Sequence, residues 1–119
     1  MGWEFTSDKP IHVQLVTEIS NRIIKGEYAP GMKLPSVRDF AAKASVNPNT
    51  MQRALSALES SGLIFSERTT GKFVTNNLEL IRQAKAELAK SNVENFFSSM
   101  AELSYSKDDA IEMANELKE

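Results

Sequence analysis

Cysteine is missing from this chain of 119 residues, and histidine and tryptophan occur once each. Without thiols there is no disulfide framework and no thiolate nucleophile, and a lone His12 leaves a protein-built zinc site short of ligands. This favours a reducing, intracellular setting. Long apolar runs are also missing. No window approaches the roughly 18 apolar residues of a membrane span, and the opening MGWEFTSDKP has neither the basic start nor the apolar core of a signal peptide. A cytoplasmic protein without membrane contact is expected. Catalysis is equally unprovided for. A nucleophile and base pair would have to use His12, and there is no glycine-rich phosphate loop and no carboxylate pair set apart from helix surfaces. No enzymatic activity, no metal and no cofactor is expected.

What remains is an ordinary globular composition, 41% hydrophobic and 25% charged, enough for one modest domain or a small domain with an appendage. The net charge of −2 is unevenly spread. Residues 1–76 carry nine Lys/Arg against seven Asp/Glu, whereas residues 77–119 carry five against nine. The acidity belongs to the tail, and the slight positive balance before it permits phosphate binding without requiring it.

The densest signals lie between Leu34 and Ile64. Ser36 can cap a new helix after Pro35, with Asp39 three residues on in capping-box position. Asn47 can cap a second helix, with Pro48 at the first helical position, where its missing N–H costs nothing. Gly62 supplies the stop. Ala44, Ser45 and Val46 form so short a connection that the second helix must cross the first steeply, which describes a helix-turn-helix. If Met51, Ala54, Leu55 and Leu58 face inward, the 3.6-residue period puts Asn49, Gln52, Arg53 and Ser56 on the opposite face. Such a polar face near a helix N-terminus is where base edges are addressed.

Upstream, Ile11, Leu15, Ile19 and Ile23, flanked by Val16 and Ile24, mark an amphipathic helix from Pro10 to Lys25, ended by Gly26. Pro30-Gly31 marks a turn. Downstream, Leu63-Ile64-Phe65 and Phe73-Val74-Thr75 flank a polar, glycine-containing loop and read as a β-hairpin, which makes the domain a winged helix-turn-helix. His12 reads as a partly buried ring.

The tail, residues 77–119, reads as two helices. Asn76 and Glu79 suggest a capping box, and one long pattern runs through Leu78, Ile81, Leu88, Phe96, Phe97, Met100 and Leu103, spanning roughly 40 Å if unbroken. Ser106 to Asp109 starts a last helix with Ala110, Ile111, Ala114 and Leu117 on its apolar side. So short a segment rarely supports its own core. Leu88, Phe96, Phe97, Met100, Leu103, Ile111 and Leu117 therefore need a partner, and a second copy of the chain is the economical one. The expected class is mainly α with a small β-hairpin. Residues 1–76 form the winged domain and 77–119 a two-helix dimerisation segment.

These residues resemble the GntR family of bacterial transcription regulators. The likeness runs through Pro10-Ile11, Gln14, Gly26, Pro30-Gly31, Leu34 to Arg38, Ala41, Val46 to Thr50, Arg53-Ala54, Leu58, Gly62 to Ile64, Gly71 and Phe73-Val74, and the two short tail helices resemble the YtrA type. The resemblance implies dimers that bind operator DNA and mostly repress. It implies DNA contacts by Arg38 from the first motif helix, by Asn47, Asn49, Thr50, Gln52 and Arg53 from the second, and by Thr70, Gly71 and Lys72 from the wing, with Ser56 on the same outward face. Arg can fork onto guanine, Asn or Gln onto adenine, and hydroxyls onto phosphate. Asn47 and Thr50 have a second reading as caps, and Arg38 as a partner of Asp39 or Glu59. The wing departs from the family pattern, since Glu67 to Lys72 lacks one glycine and one positive charge. A winged-helix protein-interaction module without DNA binding is the alternative function, and a small-molecule effector of unidentified chemistry is left open.

Overall fold

In a computed structural model, which describes residues 3–118, the chain runs α1 (Ile11–Ile24), α2 (Val37–Ala44), α3 (Pro48–Ser61), β1 (Ile64–Glu67), β2 (Gly71–Val74), α4 (Leu78–Glu102) and α5 (Lys107–Glu116). This is the expected mainly helical class, with a hairpin behind the helix-turn-helix. Two compact units divide between Arg82 and Gln83.

The first unit holds nearly all of the core. Leu15, Ile19 and Ile23 recur at four-residue steps along α1 and are buried, as are Phe40, Ala41 and Ala44 of α2 and Met51, Ala54, Leu55 and Leu58 of α3. Helix α3 packs against both earlier helices and against β1. Ile64 and Val74 close the core from the hairpin.

Local chemistry sets the helix ends. Ser36 Oγ accepts the Asp39 N–H at 3.2 Å and Asn47 Oδ1 accepts the Asn49 N–H at 2.7 Å, with Pro48 in the first turn of α3. Between them Ser45 takes a left-handed conformation (φ 58°), which lets the Val46 N–H reach Ala41 O at 3.0 Å and shuts α2. At α4 the cap is Asn77, one residue later than expected, since its Oδ1 accepts the Leu80 N–H. The Asn76 amide lies against Gly31 instead.

The hairpin pairs Ile64 with Val74, Phe65 with Phe73, Ser66 with Lys72 and Glu67 with Gly71. The strands thus run further into the loop than the apolar residues alone suggested, leaving Arg68, Thr69 and Thr70 at the tip. A short stretch before α2 extends the ladder, with Lys33 bridging Phe73. Gly31 sits at its start with φ +78°, and an added Cβ would lie 2.6 Å from Asn76 Oδ1. Gly31→Ala is therefore expected to cost about 1 to 3 kcal/mol in urea unfolding. Gly26→Ala has the same hand of backbone (φ +87°) but no atom within 4 Å of the added Cβ, so it should cost less. Equal losses would remove the Asn76 contact from the explanation.

The N-terminal arm is fastened by Gln14, whose side chain bonds the backbone of Thr6 and donates to Lys9 O. The arm brings Trp3 edge-on to Phe40 and under the Arg22 guanidinium, 4.0 Å from the ring centroid. Glu18 and Glu27 hold Arg22 on its other sides.

In the second unit α5 opens with a complete capping box between Ser106 and Asp109. Helix α4 runs unbroken past Asn92 and Val93 and has no buried residue, and α5 buries Ala110 alone. Leu103 falls in the turn beyond α4, not within it. No helix of the described residues is long and apolar enough to cross a membrane.

Candidate nucleic-acid interface

Helix α3 buries one face and offers the other. The alternation that sinks Met51, Ala54, Leu55 and Leu58 leaves Asn49, Gln52, Arg53 and Ser56 exposed, and Thr50 half-buried at the edge. Gln52 Nε2 donates to Ser56 Oγ at 3.1 Å, so two neighbouring side chains of this face are already linked. Asn47 is engaged as the cap, and Thr50 takes no part in it. Arg38 is exposed on α2. Among the described residues neither Arg38 nor Arg53 has an ion-pair or hydrogen-bond partner, and the Glu59 carboxylate goes elsewhere.

The wing lies beside the start of α2. A surface groove of about 530 Å³ occurs here, lined by Lys33 to Val37, Asp39, Thr70, Gly71 and Lys72. Thr70 and Gly71 are exposed, but Lys72 turns back onto α3. Its Nζ donates to Glu59 Oε1 at 2.5 Å and to Ser66 Oγ at 3.0 Å, and Ser66 Oγ donates to Glu59 Oε2 at 3.0 Å. The cause is the hairpin register, which puts Ser66 and Lys72 opposite each other on the face that Ile64 and Val74 turn inward. The outer face carries Phe65 and Phe73, stacked at 5.6 Å between centroids.

Bonding to the Lys72 ammonium holds the Glu59 carboxyl below its ordinary range. A depressed carboxyl contributes stability above its unfolded pKa, about 4.3, and loses it as pH falls through the folded value. Wild type should therefore exceed Glu59→Gln by up to about 1 kcal/mol at neutral pH. Thermal unfolding from pH 7 to pH 3 should show that gap closing at the acid end, and a gap independent of pH would contradict the pairing.

The sequence reading assigned no DNA role to Arg68, which is exposed at the hairpin tip, and it offered Glu59 only as an alternative partner for Arg38, not for Lys72.

The residues expected to meet a second copy all lie in the second unit or the turn within it. Phe96 is 40%, Ile111 48%, Leu103 69% and Leu117 84% exposed, whereas Leu88, Phe97 and Met100 are half-buried. Phe96 and Phe97 contact each other at 5.5 Å and Lys107 stands over the Phe97 ring. A groove of 410 Å³ runs along Phe97, Ala101, Tyr105 and Lys107. No cluster of three or more metal-ligating side chains occurs among the described residues.

Comparison with known proteins bears on the whole chain. The family described as bacterial regulatory proteins, gntR family, matches residues 12–74. The HTH-type transcriptional regulator YhcF of Bacillus subtilis is 38% identical over 112 residues, covering 94% of this chain and 93% of its own. A GntR family transcriptional regulator from Listeria monocytogenes superposes with a TM-score of 0.85 at 39% identity, covering 96% of this chain and all of the other. The DNA-binding domain of AraR, solved in complex with operator ORX1, matches 63% of this chain and 99% of its own, with a TM-score of 0.57 and 28% identity.

Proposed function

The chain belongs to the gntR family of bacterial regulatory proteins, and from that premise we propose that it binds an inverted-repeat operator as a homodimer and represses transcription by occupying it. A DNA-binding transcriptional regulator rather than an enzyme is what the family places here. The finer reading rests on the exposed face of α3 with Arg38 beside it, polar and carrying two arginines without partners. Arg53 and Arg38 are suited to guanine O6 and N7, Gln52 and Asn49 to adenine N6 and N7, and Ser56, Thr50 and the Asn47 amide to neighbouring phosphates or base edges. Thr70 and Gly71 bring the wing's backbone and hydroxyl close to the duplex. Repression is the mode usual in the family, and it needs only that the occupied site overlap a promoter.

Dimerisation is supported by α4 and α5, which bury a single alanine and expose Phe96, Ile111 and Leu117. A second copy covers these apolar groups and sets two α3 helices in successive major grooves, about 34 Å apart or a multiple of that. The groove beside Tyr105 and Lys107 is the place we assign to any small effector, since its volume falls in the range of small-molecule sites. The rival reading, a protein-interaction module, requires an apolar outward face on α3, and beyond Pro48 in its first turn only Ala57 of the exposed positions there is apolar.

Enrichment of binding sites from a random duplex pool tests the reading. Arg53→Ala should lose roughly 1 to 3 kcal/mol of affinity and relax preference at one base position per half-site. Identical enriched sequences and affinities for both proteins would remove Arg53 from base recognition.

A further inference from the structure

The Glu59, Ser66 and Lys72 triangle joins the recognition helix to the wing, and the proposed DNA contacts leave it unused. Lys72 stands at the base of the wing, two residues from the exposed tip, where a free ammonium would meet a phosphate. Its side chain is only 19% exposed, and Glu59 at 31% is nearly as sheltered. All three bonds of the triangle close on one another, so the Lys72 charge is already neutralised within the protein. Arg68 is the opposite case. It is exposed at the tip and, among the described residues, has no ion-pair or hydrogen-bond partner.

We propose that Glu59 withholds the Lys72 charge from the duplex by holding its ammonium against α3, and that the wing meets the sugar-phosphate backbone through Arg68 instead. This rests on the DNA-binding reading above. Two consequences separate it from a merely structural ion pair. Removing the Glu59 charge should strengthen binding to any duplex, because Lys72 then gains a phosphate partner. Removing Arg68 should weaken binding to all sequences alike, because a phosphate contact carries no base information.

The salt dependence of binding reads both. Each phosphate contact adds about 0.9 to the magnitude of the slope of log K against log salt, so a dimer with two wings changes by about 1.8 per residue lost or gained. The full chain and its variants would be titrated onto the enriched operator and onto a scrambled duplex at several salt concentrations, with thermal unfolding run in parallel. Glu59→Gln is expected to steepen the slope by about 1.8 and to tighten scrambled binding more than operator binding in ratio. The double variant Glu59→Gln, Lys72→Gln should lose that gain, which identifies Lys72 as its source. Arg68→Ala should flatten the slope by about 1.8 on both duplexes. A wild type that binds while Glu59→Gln leaves the slope unchanged or flatter overturns this inference alone, as does an unchanged slope for Arg68→Ala. A wild type that binds neither duplex overturns the DNA-binding reading and this inference together.

Discussion

Full-length protein carrying Phe96→Asp and Ile111→Asp is expected to sediment as a monomer and to bind its operator about 10²- to 10⁴-fold more weakly than wild type. Phe96 and Ile111 are 40% and 48% exposed, in a unit whose helices bury only Ala110. A carboxylate at either place is harmless in a single chain in water, but it opposes burial against a second copy, where an unpaired charge costs several kcal/mol. The first unit keeps its core, since none of the residues packed around α1, α2 and α3 is touched, so the variant should still fold. The loss of affinity is an effect of linkage. Two weak half-site contacts made by one dimer act at high effective concentration, and separated chains forfeit that gain. A variant that stays dimeric, or a monomer that keeps wild-type affinity, would contradict the role given to the second unit.

The second large effect belongs to the core under the recognition helix. Leu55 is fully buried on α3, on the helix that packs against α1, α2 and β1. Leu55→Ala should lower stability by about 2 to 5 kcal/mol, a loss comparable with the whole margin of many small domains. Urea unfolding would show it as a fall in midpoint, and operator binding would fail at a lower temperature than in wild type. Ser56→Ala, one residue on and on the exposed face, should stay within about 0.5 kcal/mol of wild type in the same assay. It should register in DNA binding, through the lost partner of Gln52. Similar unfolding losses for the two would mean that the two faces of α3 are wrongly divided.

The helices were legible because their signals are local. Ser36, Asn47-Pro48, Gly62 and the Ser106 to Asp109 box act on backbone groups within one turn, and the four-residue spacing of Leu15, Ile19 and Ile23 states the buried face directly. Adjacent asparagines defeated the same logic at α4. Asn76 and Asn77 can both cap, and the contact of Asn76 with Gly31, 45 positions earlier, is decided by the folded chain. Other features required pairings that no periodicity announces. The bridge of Lys33 to Phe73 involves single residues, and the fastening of the N-terminal arm by Gln14 joins groups with no repeating pattern. At the interface the sequence identified the polar face of α3, because that follows from helical period alone. It did not reveal that Lys72 turns inward, since this depends on the cross-strand partner Ser66 and on Glu59 of a different element. Arg68 was assigned no DNA role for the same reason, as the tip of a hairpin is fixed only once its register is known.

Selection of duplexes from a random pool by the full-length chain, followed by sedimentation of the selected complex, tests the central claim most directly. The expected product is an inverted repeat whose half-site centres lie about one helical turn apart, or a multiple of that, with two chains on each duplex. A single unrepeated site bound by one chain, or a pool with no enriched sequence, would contradict it.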